Sequence, residues 1–420
     1  MKWIHISDLH IGLRLMNWDL AEDQAFILRQ IADIAAAEQP DAILIAGDIY
    51  DKAVPSAEAV ALFDAFIDQL AEAAPGMEIM LISGNHDSGP RLDCFRNVLA
   101  KQRIHMIGLP PQTESDYIEK VVLRDDAGSV NFYLLPFVKP SMVKQIVGTD
   151  ENGNNLSYEE SLRRLLARED INESERNVLV SHQFYLPAGK DADDVDRADS
   201  EIRTAGNIDA VSAEVLAPFD YAALGHIHKP MKVGAETLRY CGTPLACSVS
   251  EAGQQKGVIL VEASGKRAGD PNGACMQTSV LPLAPKRAVR KISGTLQEVL
   301  AQRCEDYVSV TLQNEAEDAA YAEGELAAAG ADAESAGAAV DPEAGNKKQS
   351  GKESLSDVQD RIRSAFPYLL EIRREYVRTA DYTAAVTPEK QLDPYELCCA
   401  FLKNPDAAER ELLRDVINAC

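Results

Sequence analysis

Short apolar runs alternate with longer amphipathic segments from the first residue to about residue 282. The runs read KWIHIS, AILIAG, EIMLIS, NFYLLPF, NVLVSH and YAALGH, a composition typical of buried strands. Residues 19–38 and 56–74 have apolar side chains at helical spacing, and Ser56 stands where the second helix needs an N-cap. This alternation predicts an α/β domain.

Polar signatures follow five of these runs. The chemically active side chains in them are Asp8, His10, Asp48, Asn85, His86, Asp87, His182, His226 and His228. Five of the seven histidines of the chain therefore lie in the signatures. Because loops at the carboxyl ends of parallel strands meet in one crevice, we expect these side chains to converge.

The residue types in the signatures fit a site for two metal ions. Imidazole, carboxylate and amide oxygen together suit divalent metals of intermediate softness. The spacing of Asp8 and His10, and of His226 and His228, lets both members of each pair face one way from extended backbone. Glycines 47, 84 and 225 directly precede ligands, where a small residue permits close approach.

His86 is left over as a group that can act on a substrate. An imidazole beside a scissile phosphate can stabilise charge and protonate a leaving alkoxide. Asp87 is expected to orient this ring, since a carboxylate often fixes an imidazole tautomer.

The alternative is that each histidine is an ordinary hydrogen-bonded residue, as a single histidine at a strand end usually is. His5, inside the first strand, and His105 are assigned that ordinary role. Five signatures in order, each behind a strand, favour a shared site for the others.

Composition restricts the class of protein. With 420 residues, 46% of them hydrophobic, the chain can form two or three domains with a large core. No apolar run approaches the roughly 20 residues that span a bilayer, and no export signal is evident. The eight cysteines form no CxxC pair, which favours reduced cysteines and a cytoplasmic location.

The remaining third of the chain predicts two further parts. Residues 283–380 show a strand, a helix, a strand, and then a second helix and strand. An acidic low-complexity segment interrupts them at about 314–357. Residues 381–420 are predicted to form a linker and two short helices. The predicted domains are thus 1–282, 283–380 and 381–420.

The net charge of −25 argues against a broad nucleic-acid surface on this chain alone. The low-complexity segment holds 11 acidic and 3 basic residues, so the acidity extends well beyond it. We expect the isolated chain to bind DNA weakly, and we expect this binding to disappear at modest salt concentrations.

In order, the motifs DLH, GD, GNHD, H and GHIH resemble the calcineurin-like metallophosphoesterase superfamily. The flanking stretches HISDLHIGL, AGDIYDKAVPS, SGNHDSGPRL, FDYAALGHIHKP and RYCGTPLACSVSEAGQQKGV narrow this to the SbcD family of bacterial nuclease subunits. The resemblance is strongest over residues 1–265. It implies a sandwich of two central β-sheets flanked by helices, a small α+β capping domain and C-terminal helices.

The resemblance also implies ligand sets. Asp8, His10, Asp48 and His228 would hold one manganese ion. Asp48, Asn85, His182 and His226 would hold the other, with Asp48 bridging and His86 as the catalytic histidine. Magnesium, iron or zinc would also suit these ligands.

The activity implied is that of a metal-dependent DNA nuclease. It would act as an exonuclease on double strands and as an endonuclease on single strands or hairpins, in DNA repair, recombination and replication. The implied partners are DNA and an SbcC-type ABC ATPase, which the C-terminal helices would bind, with a homodimer inside a heterotetramer.

Two other functions stay open at this point. A phosphatase or small-molecule phosphodiesterase would use the same metal site, although it would not need the extra domains. A structural subunit that tethers DNA ends would keep the metals for folding only, although it would not need His86.

Overall fold

The computed structural model describes residues 1–187, 189–190, 195, 197–201, 208–267, 269–313, 355–375 and 410. The strands are, in chain order, β1 (Lys2–Ile6), β2 (Arg14–Leu15), β3 (Trp18–Asp19), β4 (Ala42–Ala46), β5 (Glu78–Ile82), β6 (Ile104–Ile107), β7 (Glu119–Asp125), β8 (Gly128–Leu135), β9 (Arg176–His182), β10 (Phe184–Leu186), β11 (Ala210–Ser212), β12 (Tyr221–Gly225), β13 (Met231–Val233), β14 (Ala235–Tyr240), β15 (Gly257–Ala263), β16 (Met276–Pro282), β17 (Val289–Gly294), β18 (Tyr307–Gln313) and β19 (Tyr368–Glu375). The helices are α1 (Ala21–Glu38), α2 (Ala57–Ala73), α3 (Gly89–Leu92), α4 (Arg96–Leu99), α5 (Pro140–Val147), α6 (Tyr158–Leu166), α7 (Leu296–Ala301) and α8 (Leu355–Ala365).

Two six-stranded mixed sheets form the main body. Their strand orders are β16-β15-β1-β4-β5-β6 and β13-β14-β12-β9-β8-β7. Strands β1, β4, β5 and β6 run parallel in the first sheet, as do β8, β9, β12 and β14 in the second. Antiparallel pairs extend both sheets: β15 beside β1, β7 beside β8, and β13 beside β14. All six predicted strands of the α/β domain are therefore present.

The two sheets pack face to face through alternate residues of their strands. Trp3 of the first sheet meets Phe132 and Tyr221 of the second, with ring centroids 5.4 and 5.9 Å apart. Leu44 and Val180 are fully buried in the same layer. Burial of each such side chain contributes about 1.5–3 kcal/mol, so this layer fixes one sheet against the other.

Helices cover the outer faces. Ile31 of α1 and Phe66 of α2 pack in one hydrophobic cluster with Ile4 and Ile43 of the first sheet. Helices α5 and α6 cover the second sheet in the same way. The Ser56 side chain accepts a hydrogen bond from Ala59 N at 3.2 Å, the predicted cap of α2. The predicted sandwich of two sheets flanked by helices is confirmed.

A small parallel sheet, in the order β17-β18-β19, has its own core with α7 and α8. Thr295 and Glu298 form a capping box at the start of α7. The unit contacts the sandwich at Asp23 of α1, which accepts hydrogen bonds from Arg287 at 2.5 Å and from the Tyr307 hydroxyl at 2.9 Å. This helix and strand content agrees with the sequence prediction.

Chain contacts divide the protein into two compact units. Residues 1–313 with 339–375 form the first, and residues 314–338 with 376–420 form the second. Of the second unit only Arg410 is described, so the predicted C-terminal helices lie outside the described residues, as do residues 314–354 of the acidic insert. Helix α8 begins at Leu355, within the last residues of the low-complexity segment predicted at about 314–357.

Among the described residues, no helix combines the length and apolar character needed to cross a membrane. The five described cysteines, at positions 94, 241, 247, 275 and 304, are free thiols.

Candidate metal centre

The five signatures meet at one end of the sandwich. Asp8, Asp48 and Asn85 follow β1, β4 and β5 of the first sheet, whereas His182 ends β9 and His226 follows β12 of the second. Parallel strands present their carboxyl ends at one edge of a sheet. Face-to-face packing then brings the two edges together, as the sequence predicts.

The backbone is strained at four of the predicted ligands. Asp8, His10, Asp48 and His226 have φ values of 53°, 43°, 49° and 100°, in the left-handed region that side chains rarely adopt. Backbone bonds hold the loops together, from Asp8 N to Gly47 O and from His10 N to Asp48 O, both 3.0 Å. Strain of this kind persists only where the surroundings impose it, and it clusters at functional sites.

Two glycines are required by close approach. A Cβ at residue 84 would lie 2.1 Å from Asp48 Oδ1, and one at residue 225 would lie 1.9 Å from Ala46 O. Any side chain there would displace the neighbouring ligand loop, which agrees with the predicted role of glycine before ligands.

One half of the centre groups Asp8, His10 and His228, whose ligand atoms lie within 4.8 Å of one another. His10 Nε2 and His228 Nε2 are 3.1 Å apart. Asp48 Oδ2 lies 3.7 Å from His10 Nε2 and therefore borders this half.

Asp48 also borders the other half, because the same Oδ2 lies 3.3 Å from His182 Nε2. The Asn85 Oδ1 atom lies 3.0 Å from His182 Nε2 and 2.8 Å from His226 Nδ1. His182 Nδ1 donates to the Ala46 carbonyl at 2.8 Å, which directs its Nε2 towards the site. All seven predicted ligands thus lie together, and Asp48 lies between the two halves.

Unpartnered buried atoms show that these residues fit metal ions. Among the described residues, Asp8 Oδ2 and His10 Nδ1 are buried without a hydrogen-bond partner. A buried polar atom left in this state costs free energy. Two imidazole nitrogens facing each other at 3.1 Å need a cation or a shared proton between them. A divalent cation would satisfy Asp8 Oδ2 and the facing Nε2 atoms of His10 and His228.

Burial and mutual charge shift the pKa values of these side chains. Burial raises the pKa of Asp8 to about 6 and lowers the pKa of His10 to about 3. Burial alone would raise the pKa of Asp48, yet the neighbouring His182 holds this pKa well below its usual range. Burial lowers the pKa of His182, yet the carboxylates of Asp48 and Asp8 and the hydrogen bond to the Ala46 carbonyl together raise it to about 9. Asp48 and His182 form an ion pair that a metal cation can replace.

His86 lies on the more exposed side of the centre. His86 is partly exposed, whereas six of the predicted ligands, all but Asn85, are buried. The His86 Nδ1 atom donates to the Asp51 carbonyl at 2.9 Å, and its ring lies edge-on to His10 at 4.8 Å. It also shares a group of potential ligand atoms with His10 and Asp48.

The expected contact between Asp87 and His86 is corrected by the structure. Both Asp87 oxygens accept hydrogen bonds from backbone amides, those of Ile49 at 3.0 Å, Tyr50 at 2.9 Å and Gly84 at 2.9 Å. The carboxylate is occupied in joining the β4 and β5 loops, and the Asp51 carbonyl orients the imidazole instead.

The two histidines outside the signatures have ordinary partners. His5 is buried, with Nδ1 3.0 Å from the Tyr221 hydroxyl, and His105 Nε2 lies 2.9 Å from Glu78.

Sequence reasoning missed the residues behind the ligands. These are Asp51, Arg197, Ser200, Glu201, Glu251 and Lys256. Glu201 accepts a hydrogen bond from His228 N at 2.9 Å, and Arg197 Nη2 lies 3.4 Å from His226 Nε2. The only available signal was a charged residue inside an otherwise small-residue stretch, such as Glu251 in SVSEAG.

A sequence model of the calcineurin-like phosphoesterases matches residues 1–230, more than half of the chain. The chain belongs to the calcineurin-like phosphoesterase family. This assignment makes it a phosphoester hydrolase that uses divalent metal ions.

The phosphoesterase is 30% identical over 308 residues to the D subunit of the SbcCD nuclease of Staphylococcus saprophyticus. The alignment covers 73% of this chain and 75% of the relative. This confirms the resemblance to the SbcD family inferred from the motifs.

Solved structures are also similar to this phosphoesterase. A dimetal phosphatase from Danio rerio aligns with a TM-score of 0.38 at 15% identity, over 66% of this chain and 98% of that one. A protein from Thermus thermophilus aligns with a TM-score of 0.36 at 13% identity, over the same shares.

Proposed function

We propose that this phosphoesterase is a metal-dependent DNA nuclease. It hydrolyses phosphodiester bonds as an exonuclease on double strands and as an endonuclease on single strands or hairpins. Its proposed setting is DNA repair, recombination and replication in the cytoplasm. The observation that carries the proposal is the convergence of seven ligand side chains, with His86 beside them on the more exposed side.

The proposed ligand sets are two, and Asp48 belongs to both. Asp8, His10, Asp48 and His228 hold one ion; Asp48, Asn85, His182 and His226 hold the other. Manganese is proposed as the metal, and magnesium, iron or zinc would fit the same donors. When bound, such ions activate a water molecule and stabilise the attacking and leaving oxygens of a phosphoester.

His86 is proposed to act on the substrate. Donation from Nδ1 to the Asp51 carbonyl leaves Nε2 as the ring atom that can face a phosphate. A protonated Nε2 can donate to a phosphate oxygen and supply a proton to the leaving alkoxide. Asp87 supports this chemistry indirectly, because it fixes the loops that carry Asp48 and His86.

A groove beside the site carries two cationic side chains that can contact phosphates. This groove, of about 610 Å³, extends from Gly12 and Asp51 and is lined by the exposed Arg14 and Lys52. Acidic residues line it as well, among them Asp19 and Glu58. The groove can therefore contact phosphates without binding DNA tightly, in keeping with the net charge of −25.

An SbcC-type ABC ATPase is proposed as the partner, in a heterotetramer with two copies of this chain. The support is the similarity to a D subunit of an SbcCD nuclease. The ATPase would supply the phosphate neutralisation that this acidic chain lacks. Co-purification with the ATPase, with the mass measured by light scattering, tests this assembly; elution of the two chains apart would contradict it.

The decisive experiment compares two substrates with one variant. We expect Mn²⁺-dependent cleavage of linear DNA by the wild type, and a rate at least roughly 100-fold lower for His86→Ala with both ions retained. Metal content measured on the same samples separates chemistry from binding. His105→Ala is the matched control, since His105 contacts Glu78 away from the centre.

Other outcomes would support the alternatives. Efficient hydrolysis of a phosphomonoester with DNA left intact would indicate a phosphatase. DNA binding without hydrolysis of either substrate would indicate a tethering subunit. Unchanged cleavage by His86→Ala would overturn the role of that residue.

A further inference from the structure

A second layer of side chains holds His228 from behind. Ser200 Oγ lies 2.8 Å from His228 Nδ1 and 3.0 Å from Glu251 Oε1. Glu251 is only 1% exposed, and its other oxygen accepts hydrogen bonds from Lys256 at 2.7 Å and Thr243 at 2.9 Å. This chain of contacts runs from the metal centre into the buried body of the protein.

The direction of each hydrogen bond follows from the available protons. Donors surround the Glu251 carboxylate, because Cys247 N at 3.2 Å and Lys256 Nζ at 2.7 Å also donate to it. Glu251 must therefore accept from the Ser200 hydroxyl, whose single proton is then used. Ser200 Oγ can only accept from His228, so His228 Nδ1 carries the proton.

A proton on Nδ1 of His228 determines the state of Nε2, on the other side of the ring. With its proton on Nδ1, neutral His228 presents a lone pair at Nε2, the atom 3.1 Å from His10 Nε2. The backbone of residue 228 is fixed as well, because its N–H donates to Glu201 at 2.9 Å and its carbonyl accepts from Lys256 at 3.1 Å. Ring orientation and tautomer are thus both set from outside the centre.

The tautomer of His182 is also set by a hydrogen bond at Nδ1, but through a single contact. Its Nδ1 donates directly to the Ala46 carbonyl of the neighbouring sheet. His228 lies on a loop, and the position next to its Nδ1 is taken by Ser200 and Glu251 instead.

We propose that Ser200 and Glu251 are positioning residues that set the affinity of one of the two metal ions through His228. The proposal rests on the proposed metal role of His228 and not on any particular substrate. Partners that orient a ligating histidine typically change metal affinity by about 10- to 100-fold.

Calorimetric titration with Mn²⁺ tests the proposal. Ser200→Ala should lower the affinity for one Mn²⁺ ion by about 10-fold or more. The affinity for the other ion should stay within about twofold of the wild type. Ser200→Thr keeps the hydroxyl and should restore the affinity to within about threefold of the wild type. The matched control is Ser248→Ala, since Ser248 also bonds Glu251 Oε1, at 3.2 Å, while its hydroxyl lies 2.6 Å from Ser250 Oγ.

Nuclear magnetic resonance of ¹⁵N-histidine-labelled, metal-free protein gives a second readout. Wild-type His228 should carry its proton on Nδ1, and Ser200→Ala should lose this preference. A neutral His228 that carries its proton on Nε2 in the wild type would overturn the proposal, as would unchanged affinities for both ions in Ser200→Ala.

The outcomes separate this inference from the proposed function. A wild-type protein that binds no Mn²⁺ overturns the metal role of His228, and with it this proposal. Two bound ions with the Ser200 effect, but without cleavage of DNA, would count against the nuclease and leave the positioning role intact.

Discussion

Both ends of the sandwich carry buried charged groups. At one end these groups have hydrogen-bond partners, so we call it saturated, whereas at the other end a buried carboxylate oxygen has none among the described residues. At the start of β9, Arg176 donates to both oxygens of Asp125 at 2.9 and 2.5 Å and to the Gly128 carbonyl at 2.7 Å. The amino terminus of Met1 donates to the same carboxylate at 2.9 Å. At the end of β9, His182 belongs to a cluster in which Asp8 Oδ2 has no described partner.

This difference separates a structural cluster from a binding cluster. Both connect the sheets, because Met1 and Asp48 flank strands of the first sheet, whereas Arg176 and His182 belong to the second. Saturated donors and acceptors stabilise the fold, whereas unsaturated ones cost stability until a ligand arrives. Changes at the two ends should therefore alter different properties of the protein.

The largest effect is expected for Asp48→Asn at the unsaturated end. The amide removes the charge and one oxygen from the residue between the two halves. Metal centres contribute several kcal/mol to such reactions, so activity on phosphodiesters should fall about 1000-fold or more. The rise in melting temperature on adding Mn²⁺ should also shrink, because fewer ions bind the folded state.

Asp33→Asn, on the exposed face of α1, is the matched control and should behave as the wild type. Activity of Asp48→Asn within tenfold of the wild type would contradict the place of Asp48 in both ligand sets.

Arg176→Met tests the saturated end. It removes a side chain that is 1% exposed and leaves Asp125 with the amino terminus as its remaining charged partner. Loss of one partner of a buried pair costs about 3–5 kcal/mol, and we expect the low end because the Asp125 side chain is 25% exposed. Chemical unfolding in EDTA measures this change, while the rate of the metal-loaded enzyme should stay within twofold.

The surface pair of Arg163 supplies the control for this change. Its side chain is 55% exposed beside Glu159 and Glu160, so Arg163→Met should cost about 0.5 kcal/mol or less. Equal costs for the two arginines would remove the distinction between the buried cluster and an ordinary surface pair.

The sequence predicted the unsaturated end far better than the saturated one. The ligand types recur directly behind apolar runs, and strand direction then brings them to one edge. Nothing local marks Asp125 and Arg176 as partners, because they lie 51 residues apart and meet only once β7 and β9 have both paired with β8. Ser200 and Glu251 were missed for the same reason.

The edges of the sheets and one contact of the site were also beyond sequence reasoning. Strands β13 and β16 are short or largely exposed, so their periodicity is weak. Asp87 was assigned to His86 because the two are adjacent in sequence. Its carboxylate instead reaches the amides of Ile49 and Tyr50, which neighbour it only in the folded protein.

The smallest expected effect is a dependence on pH at the saturated end. The hydrogen bonds from Arg176, and then that from the amino terminus, hold the pKa of Asp125 well below its usual value of 3.8. A depressed folded pKa stabilises the protein above the unfolded pKa, and this contribution is lost as the pH falls towards the folded value. Asp125→Asn should therefore cost about 1.5 kcal/mol at pH 7, and the difference from the wild type should shrink below about pH 4.

Unfolding free energies in EDTA between about pH 3 and 7, with Asp126→Asn as the exposed neighbouring control, measure this dependence. A difference that stays constant over this range would mean that Asp125 acts through its shape and not through its charge, and the contrast between the two ends would then not be one of charge saturation.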